Sequence, residues 1–506
     1  MLMSWRFTQS LFPNFRQDIT INIENARQWQ GGVRAACCGL VAGLVFALLP
    51  LAALADTRLP PGVRSVLEVR NIPADSLSIL VTDIDSGRTI IEWNDDVPRN
   101  PASTMKLITT LVALHELGPS YQWKTETYAL GEISDGVLDG DLLIKGYGDP
   151  FLVTERVWRL VRDLSQTGLR EITGDIVIDD SYFDVAPSDP GAFDKQPLRA
   201  YNVAPNALLM NLKVVRYWFE PDPSANAVRV ILEPPLENLR VENRLSLGNR
   251  SCSGYQRGIS ITADDEFTTM ILDGTFPNRC KNYALSRTAL DHNAYAYGLF
   301  AALWKEAGNK LGGSWRTGTA PESEKPYTVF PSQPLSEIIT HINKHSNNVM
   351  ARQLLYTLSA ETFGTPGTEQ GGREVVSAWL ERNVPDVDSV VLENGAGLSR
   401  SARVNARDFN EILRFAWRQP YMPELASSLA LSGHDGTLRR RFDDAKLTGQ
   451  AHLKTGSLDD VVAIAGYMQA RSGRRFAVVA LHNYTDIHRG PGEEVQTALL
   501  RYLYEQ

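Results

Sequence analysis

Four cysteines in 506 residues is a small number, and no Cys-x-x-Cys occurs among them, which excludes zinc-ribbon and thioredoxin-type arrangements. The net charge is −8 and no basic stripe with interleaved aromatics is present, so nucleic acid is not an expected partner. No Gly-x-Ser-x-Gly elbow exists to support a Ser-His-Asp hydrolase of that type. His341-x-x-x-His345 is the nearest approach to a metalloprotease helix, but Ile342 stands where the general-base glutamate would be. The pair reads as structural, and neither metal nor cofactor is expected. Internal repeats and low-complexity tracts are also missing.

What is present suits a chain of two or three domains with a large core. Hydrophobic residues make up 43% and charged residues 22%, as in an ordinary globular protein. One run, Ala35 to Ala55, is almost wholly apolar and ends in Ala53-Leu54-Ala55. It reads as an export signal cleaved before Asp56, or as an uncleaved membrane anchor after a long, mixed-charge leader. Cys37 and Cys38 lie inside it, and Cys37 is not placed for lipidation. Cys252 and Cys280 are the two cysteines of the body, and in an exported chain they read as one disulfide, with two unlinked buried thiols as the alternative.

Periodicity orders the rest of the chain. Residues 56–70 are a polar, Pro-rich lead-in. Strands at 78–83 and 89–93 form a hairpin through Ser86-Gly87. From about 124 the texture turns to short β segments (142–145, 175–179, 228–232, 259–262) with one helix near 155–166. We assign 1–55 to the leader, 56–124 and 288–506 to one interrupted domain, and 125–287 to a mostly β insertion. Helices are expected at 293–307, 335–344, 349–360 and 406–417. A three-strand meander (452–457, 461–469, 475–482) and a helix at 493–504 follow. Strands at both ends with helices between predict an α/β (α+β) domain whose antiparallel sheet is completed by the two termini.

Three stretches carry chemistry. After Pro101, Leu107, Ile108, Leu111 and Leu114 recur at helical spacing until Gly118, which puts Ser103 and Lys106 on one face of the first turns. A hydroxyl at the positive end of a helix, beside an amine desolvated enough to lose its proton, is a nucleophile with its base. Such a pair occurs by chance about twice in a chain of this size, so the spacing alone proves little. The second stretch is Ser346-Asn347-Asn348, between two helices, where a hydroxyl and an amide converge only from a loop. The third is Lys454-Thr455-Gly456, read as an exposed edge strand whose lysine and hydroxyl hold a carboxylate while Gly456 lets a substrate backbone approach.

The order Ser-x-x-Lys, Ser-x-Asn, Lys-Thr-Gly is that of penicillin-recognising enzymes. The chain resembles the class C low-molecular-mass penicillin-binding proteins, the D-alanyl-D-alanine carboxypeptidases/endopeptidases, over essentially everything after residue 60. Gly146-Tyr-Gly-Asp-Pro150, Tyr201-Asn-Val-Ala-Pro-Asn206, Asn394-Gly-Ala-Gly-Leu-Ser-Arg400 and Ser432-Gly-His-Asp-Gly-Thr-Leu438 strengthen the resemblance. Gly146-Tyr147 in place of Gly-Gly and Glu393-Asn394 in place of Asp-Gly are departures away from catalytic positions. The long span between Ser103 and Ser346 is unlike class A β-lactamases, whose first two motifs lie much closer. The resemblance implies a serine β-lactamase/transpeptidase-like fold, peptidoglycan stem peptides as substrate, and β-lactams as covalent inhibitors. It implies Ser103, Lys106, Ser346 and Lys454 as catalytic groups and Asn348, Thr455, Gly456 and Ser457 as substrate-binding ones. The backbone N–H groups of Ser103 and Ser457 would form the oxyanion hole. It implies no cofactor and a periplasmic location, with any membrane tie at the N-terminus. A β-lactamase or esterase, or a β-lactam-sensing wall-binding module, are the alternatives on the same scaffold.

Overall fold

The structure is a computed structural model and describes residues 59–506 apart from Asn282 and Asp443. The apolar leader with Cys37 and Cys38 therefore lies outside the described residues. No helix among the described residues is long and apolar enough to cross a membrane.

A six-stranded antiparallel sheet organises the domain that carries the three motifs. Its order is Ala430–Leu431, Ala451–Leu458, Val461–Gln469, Arg475–Asn483, Leu77–Asp83, Thr89–Trp93. The first long strand of the chain thus pairs with the last, with Leu77 opposite His482 and Asp83 opposite Phe476. The sheet is buried on both faces, so its central strands read as continuous apolar runs rather than as alternation. One face packs on Lys106–Leu117, Leu335–His345, Asn348–Phe363, Glu369–Asn383 and Ala406–Trp417. The other packs on the first and last helices, Pro61–Val69 and Pro491–Tyr504. This is the expected α/β layering, with strands from both ends of the described chain paired in the sheet.

Two expectations change, and one helix lies where none was expected. The lead-in at 56–70 is in part a helix, Pro61–Val69, with Pro61 at its start and Val63 and Leu67 buried. Proline is tolerated in a first helical turn, so Pro60-Pro61 opens that helix rather than prevents it. Helix Glu369–Asn383 has little sequence signature because Gly371 and Gly372 interrupt it. A Cβ on Gly372 would lie 2.2 Å from the Leu355 carbonyl oxygen, so glycine there is what lets two helices touch backbone to backbone. The boundary expected at 287 also does not follow the sheets. Helix His292–Glu306 packs into the core of the inserted strands, and Lys310–Leu311, Trp315–Thr317 and Thr328–Pro331 extend the inserted seven-stranded sheet.

The inserted part carries two further three-stranded sheets. One of them, Arg240–Gly248 with Ile259–Ala263 and Thr269–Pro277, is tied by a disulfide between Cys252 and Cys280, 28 residues apart in sequence. Serine at both positions should cost about 2–4 kcal/mol locally. In hydrogen exchange, protection should fall in Arg240–Gly248 and Thr269–Pro277 and stay unchanged in Val461–Gln469.

Candidate active site

The nucleophile turn is set by the residues just before it. Asn100 and Asn483 exchange side-chain and main-chain bonds: Asn100 N–H donates to Asn483 Oδ1 (2.8 Å) and Asn483 Nδ2 donates to Asn100 O (3.1 Å). Asn100 Oδ1 also accepts from Ala102 N–H at 2.9 Å. The last strand thus grips the chain immediately ahead of Ser103. Ala102 has φ +46°, in the left-handed region, and its carbonyl would lie 1.9 Å from a Cβ on Gly397. Glycine at 397 is required by that approach.

Ser103 lies in a 3₁₀ turn, Ala102–Met105, and the α-helix begins only at Lys106. The sequence suggests one continuous helix, and the tighter first turn is the difference. Lys106 is fully buried. Its Nζ lies 2.9 Å from Ser103 Oγ, 2.7 Å from Asn348 Oδ1 and 2.6 Å from the Ala396 carbonyl oxygen. The last two partners are acceptors only. A neutral amine has two hydrogens and one lone pair, so those acceptors take both hydrogens and the lone pair is left facing the Ser103 hydroxyl. Burial, and secondarily the charge of Lys454, hold the Lys106 ammonium well below the ordinary lysine value.

The second lysine faces the second hydroxyl. Lys454 Nζ donates to Ser346 Oγ at 2.9 Å and to Thr455 O at 2.7 Å. Burial alone lowers its pKa to about 7. Ser346 ends helix Leu335–His345 at φ +56°, and Asn347 caps the next helix by accepting from Met350 N–H. Asn348 is therefore the first residue of that helix rather than part of the loop. Its Oδ1 is held by Lys106 and its Nδ2 donates to Tyr201 O at 3.1 Å.

The strand expected to be an exposed edge is mostly covered. Ala430–Leu431 pairs with its start, and Lys454, Thr455 and Gly456 are all buried, leaving Ser457 exposed. Gly456 also serves an approach within the chain: a Cβ there would lie 2.5 Å from Pro101 O and 3.1 Å from Ser103 N. The nucleophile turn comes against this glycine. His341, the residue considered for metal, stacks on Phe151 with ring centroids 4.0 Å apart.

Sequence reasoning did not single out the Ala396 and Tyr201 carbonyls or Thr437, whose Oγ1 lies 2.8 Å from Thr455 Oγ1. Each lies in a stretch quoted for the resemblance, but a carbonyl leaves no side-chain signature. All four catalytic candidates thus occur as two lysine–serine pairs, Lys106 with Ser103 and Lys454 with Ser346, with Asn348 held by Lys106 and Thr455 by Lys454.

Comparison with known proteins points the same way. The description of the D-Ala-D-Ala carboxypeptidase 3 (S13) family matches residues 62–503. A D-alanyl-D-alanine carboxypeptidase of Actinomadura sp. (strain R39) is 27% identical over 512 residues, covering 94% of this chain and 91% of its own. The D-alanyl-D-alanine carboxypeptidase DacB of Haemophilus influenzae is 23% identical over 412 residues, covering 81% and 85%. Penicillin binding protein 4 of H. influenzae superposes with a TM-score of 0.73 at 22% identity, over 88% of this chain and 99% of that one, and has also been solved with a β-lactam bound.

Gly456→Ala should leave the far-ultraviolet circular dichroism spectrum unchanged and slow acylation by benzylpenicillin about 100-fold, because displacing the nucleophile turn by an ångström is enough for that. Quenched-flow measurement of adduct formation reads it.

Proposed function

The chain belongs to the D-Ala-D-Ala carboxypeptidase 3 (S13) family and is a serine D-Ala-D-Ala carboxypeptidase, and from that premise we propose how its own residues carry the reaction. Ser103 Oγ attacks the carbonyl between the two terminal D-alanines of a peptidoglycan stem peptide, and Lys106, as neutral amine, takes the hydroxyl proton. The backbone N–H groups of Ser103 and Ser457 receive the developing oxyanion, each worth about 3 kcal/mol. Ser346 relays a proton from Lys454 to the leaving amine, and the released D-alanine leaves an acyl-serine that water hydrolyses. Asn348 binds a substrate amide, and Lys454 with Thr455 holds the terminal carboxylate.

The observation that carries this reading is the hydrogen-bond set of Lys106: two obligate acceptors at 2.7 and 2.6 Å and the Ser103 hydroxyl at 2.9 Å. No carboxylate lies among those partners, and burial holds the pKa of this base well below that of an ordinary lysine. β-Lactams, whose strained amide and carboxylate imitate the dipeptide, acylate the same serine. Cleavage of a D-alanyl cross-link uses the same acyl-enzyme with a larger leaving group, which makes DD-endopeptidase activity part of the proposal. Peptidoglycan lies outside the cytoplasmic membrane, so the apolar stretch 35–55 is assigned to export, with a retained N-terminal tie as a finer reading.

Intact mass of residues 56–506 after benzylpenicillin should show one persistent adduct, absent in Ser103→Ala, and a D-alanyl-D-alanine peptide should release D-alanine. Consumed penicillin without an adduct would point instead to a β-lactamase, and a stable adduct without D-alanine release to a sensor.

The pH dependence follows from the two lysines. Lowering of the Lys106 pKa makes the base available well below pH 10, so kcat/KM rises with pH on the acid side as Lys106 loses its proton. Lys454 must stay charged, and its pKa of about 7 makes the rate fall above neutrality. The expected profile of kcat/KM is a bell with its alkaline limb near pH 7.

A further inference from the structure

We propose that Thr437 is a second hydroxyl of the carboxylate-binding end of the cleft, acting with Thr455 as a two-hydroxyl clamp. The inference rests on the acyl-serine reading above and deepens it by adding a substrate-binding residue outside the three motifs.

The geometry begins at Thr455. Its hydroxyl donates to Thr437 Oγ1 at 2.8 Å. A hydroxyl has one hydrogen, so the Thr455 hydrogen is spent inside the pair while that of Thr437 remains free for another acceptor. A carboxylate arriving beside Lys454 is the stronger acceptor and has two oxygens. It takes the Thr455 hydrogen away from Thr437 and accepts the Thr437 hydrogen on the second oxygen or on the same one. The exchange replaces one neutral hydrogen bond by two charge-assisted ones, next to a lysine whose Nζ is already bonded to Thr455 O.

Thr437 is held rigidly enough for this role. It sits in the 3₁₀ turn Gly436–Leu438, against both strand Ala451–Leu458 and helix Leu335–His345. Gly436 has φ +53°, and a Cβ there would lie 2.6 Å from Lys344 O and 3.0 Å from Ala430 Cβ, so the turn is pressed onto the helix end. Asp435 Oδ1 accepts from Leu431 N–H at 2.8 Å, and its Oδ2 pairs with Lys344. Burial opposes the charge, yet the bonds from Lys344 and Leu431 keep the Asp435 carboxyl below its usual range. Lys344 lies two residues before Ser346, so one ion pair fixes Thr437 relative to the loop that carries the proton relay. A turn that served only packing would not need to aim a hydroxyl at another hydroxyl.

The test compares probes with and without the carboxylate. For full-length protein, the acylation rate ratio of benzylpenicillin to its methyl ester should fall about 10-fold in Thr437→Val and return in Thr437→Ser. In the Ser103→Ala background, which cannot be acylated, calorimetry with an acetylated D-alanyl-D-alanine peptide should show Kd rising about 10-fold on Thr437→Val. A peptide ending in an amide should show no change. An unchanged ratio, or an equal loss for acid and ester, overturns the clamp and leaves Thr437 a packing residue. If the wild-type chain is not acylated at all, the acyl-serine reading fails on its own, and the calorimetric comparison still decides for or against Thr437.

Discussion

Two lysines buried without a carboxylate partner set the terms for the rest of this structure. Moving a lysine ammonium out of water costs several kcal/mol, and proteins relieve it by pairing the charge or by releasing the proton. Lys106 is relieved by giving up its proton, while Lys454 keeps its own until about neutrality. Lys106 and Lys454 are ringed by hydroxyls and carbonyls, and both pKa values are lowered by burial. The apolar helices packed on the sheet are what exclude water from around them. The large core and the basic amine are in this sense the same fact, since a smaller or wetter core would leave an ordinary protonated lysine beside an ordinary serine.

Close backbone approaches then bring the groups together. Gly397 under Ala102, Gly456 under Ser103, and Gly436 against Lys344 each remove a side chain where two main chains meet. These contacts join a helix start, a strand, and two loops from distant parts of the sequence. Precision of this kind comes from backbone against backbone, which has few internal freedoms, rather than from flexible side chains.

The residue pairs of the site were legible in the sequence because Ser103-x-x-Lys106 and Lys454-Thr455-Gly456 each occur once and flank Ser346-x-Asn348 in order, and because helical spacing after Pro101 put Ser103 and Lys106 on one face. The meander 451–483 was legible because three β-rich runs follow one another through short turns. Other parts left no trace for physical reasons. Helix Glu369–Asn383 hides behind Gly371 and Gly372, which look like breakers and are contact points. Helix Pro61–Val69 hides behind two prolines that a first turn tolerates. The extent of the inserted layers could not be read because helix His292–Glu306 is apolar nearly all round, and such a helix gives no hint of which core it joins. Thr437 is a lone threonine in a turn, and only the fold places it beside Thr455.

The pairing of Leu77–Asp83 with Arg475–Asn483 has a further consequence, in the timing of assembly. A chain emerging N-terminus first has made its nucleophile turn long before the strand that grips it exists. The Asn100–Asn483 bonds close a loop of nearly the whole described chain, so the turn stays unfixed until almost the last residues arrive. Contacts of such high sequence separation form late and slowly. A chain ending before Asn483 lacks both bonds that hold Asn100 just ahead of Ser103.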